Sequence, residues 1–269
     1  MIKVSHELPI SLLDKSKIYN DYEYCLVHLL DKKPEYKKHY MNAKNYDREV
    51  LLDNSIFELG KAFDSKEFAK KVEDLQPNYY VVPDSLQECE ETISNFKSFT
   101  SEYKNLPGLK IGVVQGKTWA ELKKCYQFMS EYADYIAISF DYDYYLTTGE
   151  PISTGSKLEY WCTGRQQLID RLLLSGVINF NKPHHLLGCS LAREFSHYTD
   201  MPFIRSVDTS NPIVAGIHNL KYCGDLGLKE KPSVKLAELI DYTFEEDDER
   251  LEIINYNVHC FKHILCRRY

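Results

Sequence analysis

The sequence predicts an α/β protein, a (β/α)8 TIM-like barrel with extra C-terminal helices. Short apolar runs recur and end on polar residues, segments of helical period lie between them, and 269 residues at 43% hydrophobic suffice for one such barrel. Residues 1–269 are therefore read as a single domain, with 212–269 as closing helices.

The strands are read in order. Ile2 to Val4 supplies the first and Tyr24 to Leu29 the second. Val50-Leu51-Leu52-Asp53, Tyr80-Val81-Val82-Pro83-Asp84 and Ile111-Gly112-Val113-Val114-Gln115 follow. Tyr135 to Phe140, His185 to Cys189 and Ile204-Arg205-Ser206-Val207-Asp208 complete the set. Apolar runs of this length read as parallel strands covered on both faces. Helical spacing marks Phe63 to Val72, with Asp64 or Ser65 as its cap, and Ser85 to Phe99, with Leu86, Cys89, Ile93 and Phe96 on one face. Trp119 to Glu131 and Gln166 to Ser175 repeat the pattern, so βαβ units are expected.

Tyr142 to Trp161 lacks periodicity and follows a strand end; it reads either as a substrate lid or as a surface loop. Beyond Asp208, the glycines and prolines from Pro212 to Pro232 mark a loop-rich connection. Val234 to Ile240 and Arg250 to Cys266 then read as helices, the last with an apolar stripe at Leu251, Ile254, Val258, Phe261 and Leu265.

Composition narrows the classes of function. The N-terminus lacks the basic start and apolar stretch of a signal peptide, and no run approaches the roughly 18 apolar residues of a membrane span, so a soluble, cytoplasmic protein without a membrane partner is expected. A net charge of −7 argues against nonspecific coating of nucleic acid while leaving room for a local basic patch. The acidic run Glu245 to Glu249 and the basic Lys262, Arg267 and Arg268 read first as solvated surface. Eight scattered cysteines without paired spacing read mostly as small core residues. Nothing in the sequence signals an oligomeric state.

In a (β/α)8 barrel the C-terminal strand ends share one mouth, where active sites lie. Asp53, Asp84, Asp208 and Gln115 would converge there. Each also has a plain structural reading: an aspartate at a strand end can cap the turn or helix that follows, and Gln-Gly is a turn signal.

The strand ends resemble those of the tRNA-guanine transglycosylase family, especially its shorter branch that inserts 7-deazaguanine bases into DNA. Leu52-Asp53-Asn54-Ser55-Ile56-Phe57-Glu58 resembles the family's Asp-Ser-Gly-Gly-Phe-Gln segment, and Gly112-Val113-Val114-Gln115-Gly116 its Gly-Ile-Val-Gln-Gly segment. Leu187-Gly188-Cys189 stands at its Met-Gly-Val-Gly turn, and Ser206-Val207-Asp208-Thr209 where it keeps its nucleophile. The similarity runs in the same order over roughly residues 24 to 215.

The resemblance implies exchange of a guanine in DNA for a free 7-deazaguanine base through two displacements, without a cofactor. Asp208 would be the nucleophile that holds the sugar covalently, and Asp53 the general acid/base. Asp84 would accept the ring N–H and exocyclic amine of the base. Gln115 would meet its carbonyl, and Gly116 would let the base plane approach the backbone. Asn54 and Phe57 join the substrate-binding set, Phe57 and Tyr135 being candidates to sandwich the base. DNA is favoured over tRNA because the chain is short and lacks the family's Cys-x-Cys-x-x-Cys zinc site: Cys223 stands alone, and the nearest substitutes, His259, Cys260, His263 and Cys266, make no convincing ligand set, so no metal is expected. Asn54 and Glu58 replace the family's Ser and Gln, which bears on base specificity. Three other readings stay open: a tRNA-acting transglycosylase, a noncatalytic barrel that binds a purine or modified nucleic acid, and an unrelated barrel hydrolase working on a sugar.

Overall fold

The computed structural model describes residues 1–140, 156–189, 191–224, 227 and 232–266. Eight strands form one parallel sheet: β1 (Lys3–His6), β2 (Glu23–Leu26), β3 (Val50–Asp53), β4 (Tyr79–Val81), β5 (Leu109–Val113), β6 (Tyr135–Ser139), β7 (His184–Leu187) and β8 (Ile204–Thr209). Their order, β1-β8-β7-β6-β5-β4-β3-β2, curls the sheet into a nearly closed barrel, the TIM-like fold read from the sequence. Side chains bridge the seam between β1 and β2. Tyr24 N–H donates to Ser5 Oγ (3.0 Å), His6 N–H to Asn20 Oδ1 (2.7 Å) and Val4 N–H to Asp21 Oδ2 (2.9 Å), so backbone groups at the seam find partners.

The helices are α1 (Ser16–Tyr19), α2 (Pro34–Asn42), α3 (Ile56–Leu59), α4 (Ser65–Leu75), α5 (Cys89–Glu102), α6 (Trp119–Tyr132), α7 (Lys157–Leu174), α8 (Asn211–Ile217) and α9 (Glu249–Cys266). Local chemistry sets their starts. Asp64 accepts from Lys66 N–H and Glu67 N–H at the head of α4, while Thr118 with Glu121 and Ser156 with Glu159 form capping boxes on α6 and α7. Among the described residues, no helix is long and apolar enough to cross a membrane.

Several boundaries differ from the sequence expectation for identifiable reasons. α5 begins at Cys89 rather than Ser85 because Gln87 takes a left-handed backbone (φ +63°) and Asp84 turns into the barrel instead of capping the helix. β7 stops at Leu187 where Gly188 reverses the chain (φ +66°). The connection after Asp208 opens with α8 rather than a loop, since Pro212 fits the first helical turn and Ile213, Val214, Ala215 and Ile217 are buried. Val234 to Ile240 contributes only the 3₁₀ turn Leu236–Leu239. Of the Tyr142 to Trp161 stretch, residues 141–155 lie outside the described residues, and Lys157 to Trp161 belong to α7. Arg267 and Arg268 also lie outside them. Cys25, Cys89, Cys125, Cys162 and Cys189 are buried, whereas Cys223 and Cys266 are exposed.

Candidate active site

Asp53, Asp84 and Asp208 line one cavity of about 260 Å³ at the C-terminal mouth of the barrel, together with Gln115, Asn54 and Phe57. Its volume lies just below the usual lower bound for small-molecule pockets, about 300 Å³. Glu7, Glu58 and Glu238 add carboxyl groups to the lining and Lys235 an ammonium.

Asp84, at the exit of β4, is the best anchored of the three aspartates. Asn54 Nδ2 donates to its Oδ1 (2.8 Å) and Gln115 Nε2 to its Oδ2 (2.7 Å). Each carboxylate oxygen has a second lone pair, so Asp84 is held in orientation yet able to accept a donor pair from a ligand. Burial raises its pKa, against the two amide donors. Gln115 Oε1 accepts from Gln87 N–H (2.9 Å), which fixes the sense of the carboxamide.

Asp53 closes β3. Ser55 N–H donates to its Oδ1 (2.6 Å), stabilising a left-handed Ser55 (φ +59°) at the head of α3. The residue thus does hold the following turn while its side chain also reaches the cavity. Burial, then the Glu58 carboxylate and, more weakly, Asp208 push its pKa well above the ordinary aspartate value, against the Ser55 N–H and Tyr24. Glu58 is raised too, chiefly by burial, with Lys235 opposing.

A group whose folded pKa exceeds its unfolded one contributes stability at low pH that is lost as pH rises through the folded value. Asp53 therefore costs stability at neutral pH. Asp53→Asn is expected to stabilise the fold by about 0.5–2 kcal/mol at pH 8 and by less at pH 5, read from urea unfolding at both values. Equal stability of the two proteins at pH 8 would show that the clustered acids do not strain the mouth.

Asp208, on β8 and 3% exposed, receives His185 Nε2 (3.0 Å) and Gly188 N–H (3.1 Å), both on Oδ1. Gly188 owes its identity to this turn: an added Cβ would lie 2.4 Å from the Phe140 ring and its φ is left-handed. Gly188→Ala is expected to cost about 1–3 kcal/mol, seen as a lowered unfolding midpoint; an unchanged midpoint would mean the turn relaxes freely.

Beneath the turn, Arg165 of α7 is fully buried. Its guanidinium donates to Glu194 Oε1 (2.6 Å) and Oε2 (3.0 Å) and to the carbonyls of Leu187 (2.9 Å), Gly188 (3.2 Å) and Ile138 (3.3 Å). One cation thereby ties the ends of β6 and β7 together.

The remaining sequence candidates separate. Phe57, 40% exposed, sits at the mouth under the Lys235 ammonium and against Phe140 (ring centroids 6.2 Å). Asn54 lines the cavity, but its amide donates to Asp84 and the Val82 carbonyl and its Oδ1 accepts from Ile56 N–H, so it supports Asp84. Gly116 is not among the cavity-lining residues. Its missing Cβ makes room for Glu121 Cβ (2.8 Å) and Leu122 N (2.9 Å) at the start of α6, not for a base. Tyr135 lies at the opposite end of β6, its ring against Tyr79 and its hydroxyl bonded to Ser206 Oγ (2.8 Å), so it walls no base. Phe140 and Trp161, ring centroids 6.0 Å apart, stand at the cavity instead.

His259 and His263 are exposed on α9, and among the described residues no three His, Cys, Asp or Glu side chains are disposed to hold a metal ion. Sequence reasoning missed His185, Arg165 and Lys235. His185 was legible as an ionisable residue within an apolar strand; Arg165 and Lys235 carried no local signal. No protein-family model and no curated protein matches this chain.

Proposed function

We propose that this barrel is a base-exchanging glycosyltransferase that replaces a guanine in DNA with a 7-deazaguanine base through a covalent aspartyl-sugar intermediate. The observation that carries the reading is the convergence of Asp53 of β3, Asp84 just beyond β4 and Asp208 of β8 on one base-sized cavity. Breaking an N-glycosidic bond passes through an oxocarbenium-like state, which carboxylates stabilise. Asp208 supplies the nucleophile. Asp53, its pKa raised by burial and neighbouring acids, suits a proton donor to the departing purine and an acceptor for the arriving one. Asp84, oriented by Asn54 and Gln115, suits the donor edge of a guanine-like base. The target base must leave its stack to enter so small a mouth, and Phe57, Phe140 and Trp161 offer it aromatic contact there.

Incubating the folded protein with guanine-containing DNA, or with tRNA, and radiolabelled 7-deazaguanine bases tests the reading. Label in DNA is the expected result, and label in tRNA alone would move the substrate to RNA. No transfer to either polymer would sink base exchange, and a noncatalytic purine-binding barrel would then be the surviving reading if the free base still bound.

A further inference from the structure

The two hydrogen bonds on Asp208 are unevenly placed. His185 Nε2 and the Gly188 N–H both meet Oδ1, while Oδ2 has no hydrogen-bond partner among the described residues. A carboxylate only accepts, so Nε2 must carry the proton of this contact. The imidazole cannot readily turn away. It is wholly buried, lies nearly parallel to the Tyr24 ring (24°, centroids 6.2 Å) and meets the Tyr22 ring edge-on (79°, 6.4 Å). Its Nδ1 lies 2.9 Å from Ser206 Oγ, which in turn lies 2.8 Å from the Tyr135 hydroxyl. A hydrogen-bonded file thus runs from the far end of the barrel to the mouth and terminates on Asp208 Oδ1.

We infer that His185 is a positioning residue for Asp208: together with the Gly188 N–H it pins Oδ1, leaving Oδ2 as the oxygen that bonds to the sugar. The inference rests on the exchange reading above. In the first half-reaction an Oδ2 lone pair forms the bond to C1′ as the C1′–N bond breaks, its electrons leaving with guanine, which Asp53 protonates. In the second, Asp53 takes a proton from the incoming base, whose nitrogen bonds to C1′ while the C1′–Oδ2 pair returns to the carboxylate. The ester is neutral and the free carboxylate charged, so donors on Oδ1 favour the carboxylate and speed release of the sugar more than its capture.

The sign of this effect makes the test specific. His185→Phe removes the donor and keeps a buried ring; label transfer should fall by about 10²-fold, and the fraction of enzyme trapped as sugar adduct after acid quench should rise. His185→Gln, which retains an amide N–H, should recover most of the rate. A structural role alone would lower transfer without raising the adduct, and that outcome, or full transfer by His185→Phe, overturns the assignment. Wild-type protein that neither transfers label nor forms adduct instead refutes base exchange itself. Should both variants misfold, ¹⁵N spectra of histidine-labelled wild-type protein decide: a protonated Nε2 is expected, and an imidazole protonated only at Nδ1 refutes the contact.

Discussion

Asp208→Asn is expected to abolish base exchange, by at least about 10⁴-fold, and to eliminate the covalent adduct, because an amide cannot supply the oxygen pair that displaces a purine. The substitution is nearly isosteric, and a side-chain carbonyl at Oδ1 still accepts from His185 and Gly188, so the barrel should unfold as the wild type does. Loss of transfer with retained folding would place the chemistry on this side chain. Full activity would remove Asp208 from the nucleophile's position and leave its hydrogen bonds as purely architectural.

Arg165→Ala should give the largest stability loss, about 3–5 kcal/mol, since it strands the buried Glu194 carboxylate without its cation. For a chain of this length that corresponds to a fall in unfolding temperature on the order of 10 °C. Tyr198 O–H still donates to Glu194 Oε1 (2.7 Å), but one hydroxyl does not replace a bidentate guanidinium. The Leu187 and Gly188 carbonyls lose a donor in the same stroke. Removing both charges, as in Arg165→Met with Glu194→Gln, should recover part of the loss, because the penalty comes mainly from the orphaned charge. Equal destabilisation by the single and double variants would show instead that the carbonyl contacts dominate.

The strands were the most legible part of the chain. Val50 to Leu52 and Ile111 to Val113 are apolar throughout because parallel strands under helices have no wet face, and composition alone reveals such runs. The start of α4 was legible from its cap, Asp64, whereas α7 starts at the Ser156–Glu159 capping box, well before the Gln166 that periodicity suggests, and the start of α5 was hidden by a side chain with competing uses. Asp84-Ser85 looks like a cap, yet Asp84 bonds Asn54 and Gln115, 30 and 31 positions from it along the chain. Gly116 and Tyr135 were misplaced for a related reason: proximity to a motif says nothing of which side of the strand, or which end of the barrel, a residue occupies.

What the sequence determined by itself was periodic: eight apolar segments, a helix in each connection from β3 to β7, and the polar residues at four strand ends. These follow from neighbours a few positions apart. Tertiary structure alone decided which strand ends share a cavity, that His185 and Gly188 meet the same oxygen of Asp208, and that Arg165 ties the ends of β6 and β7 together. Those contacts join residues some 20 to 30 positions apart, and their geometry arises only when the sheet curls and brings the strand ends to one mouth.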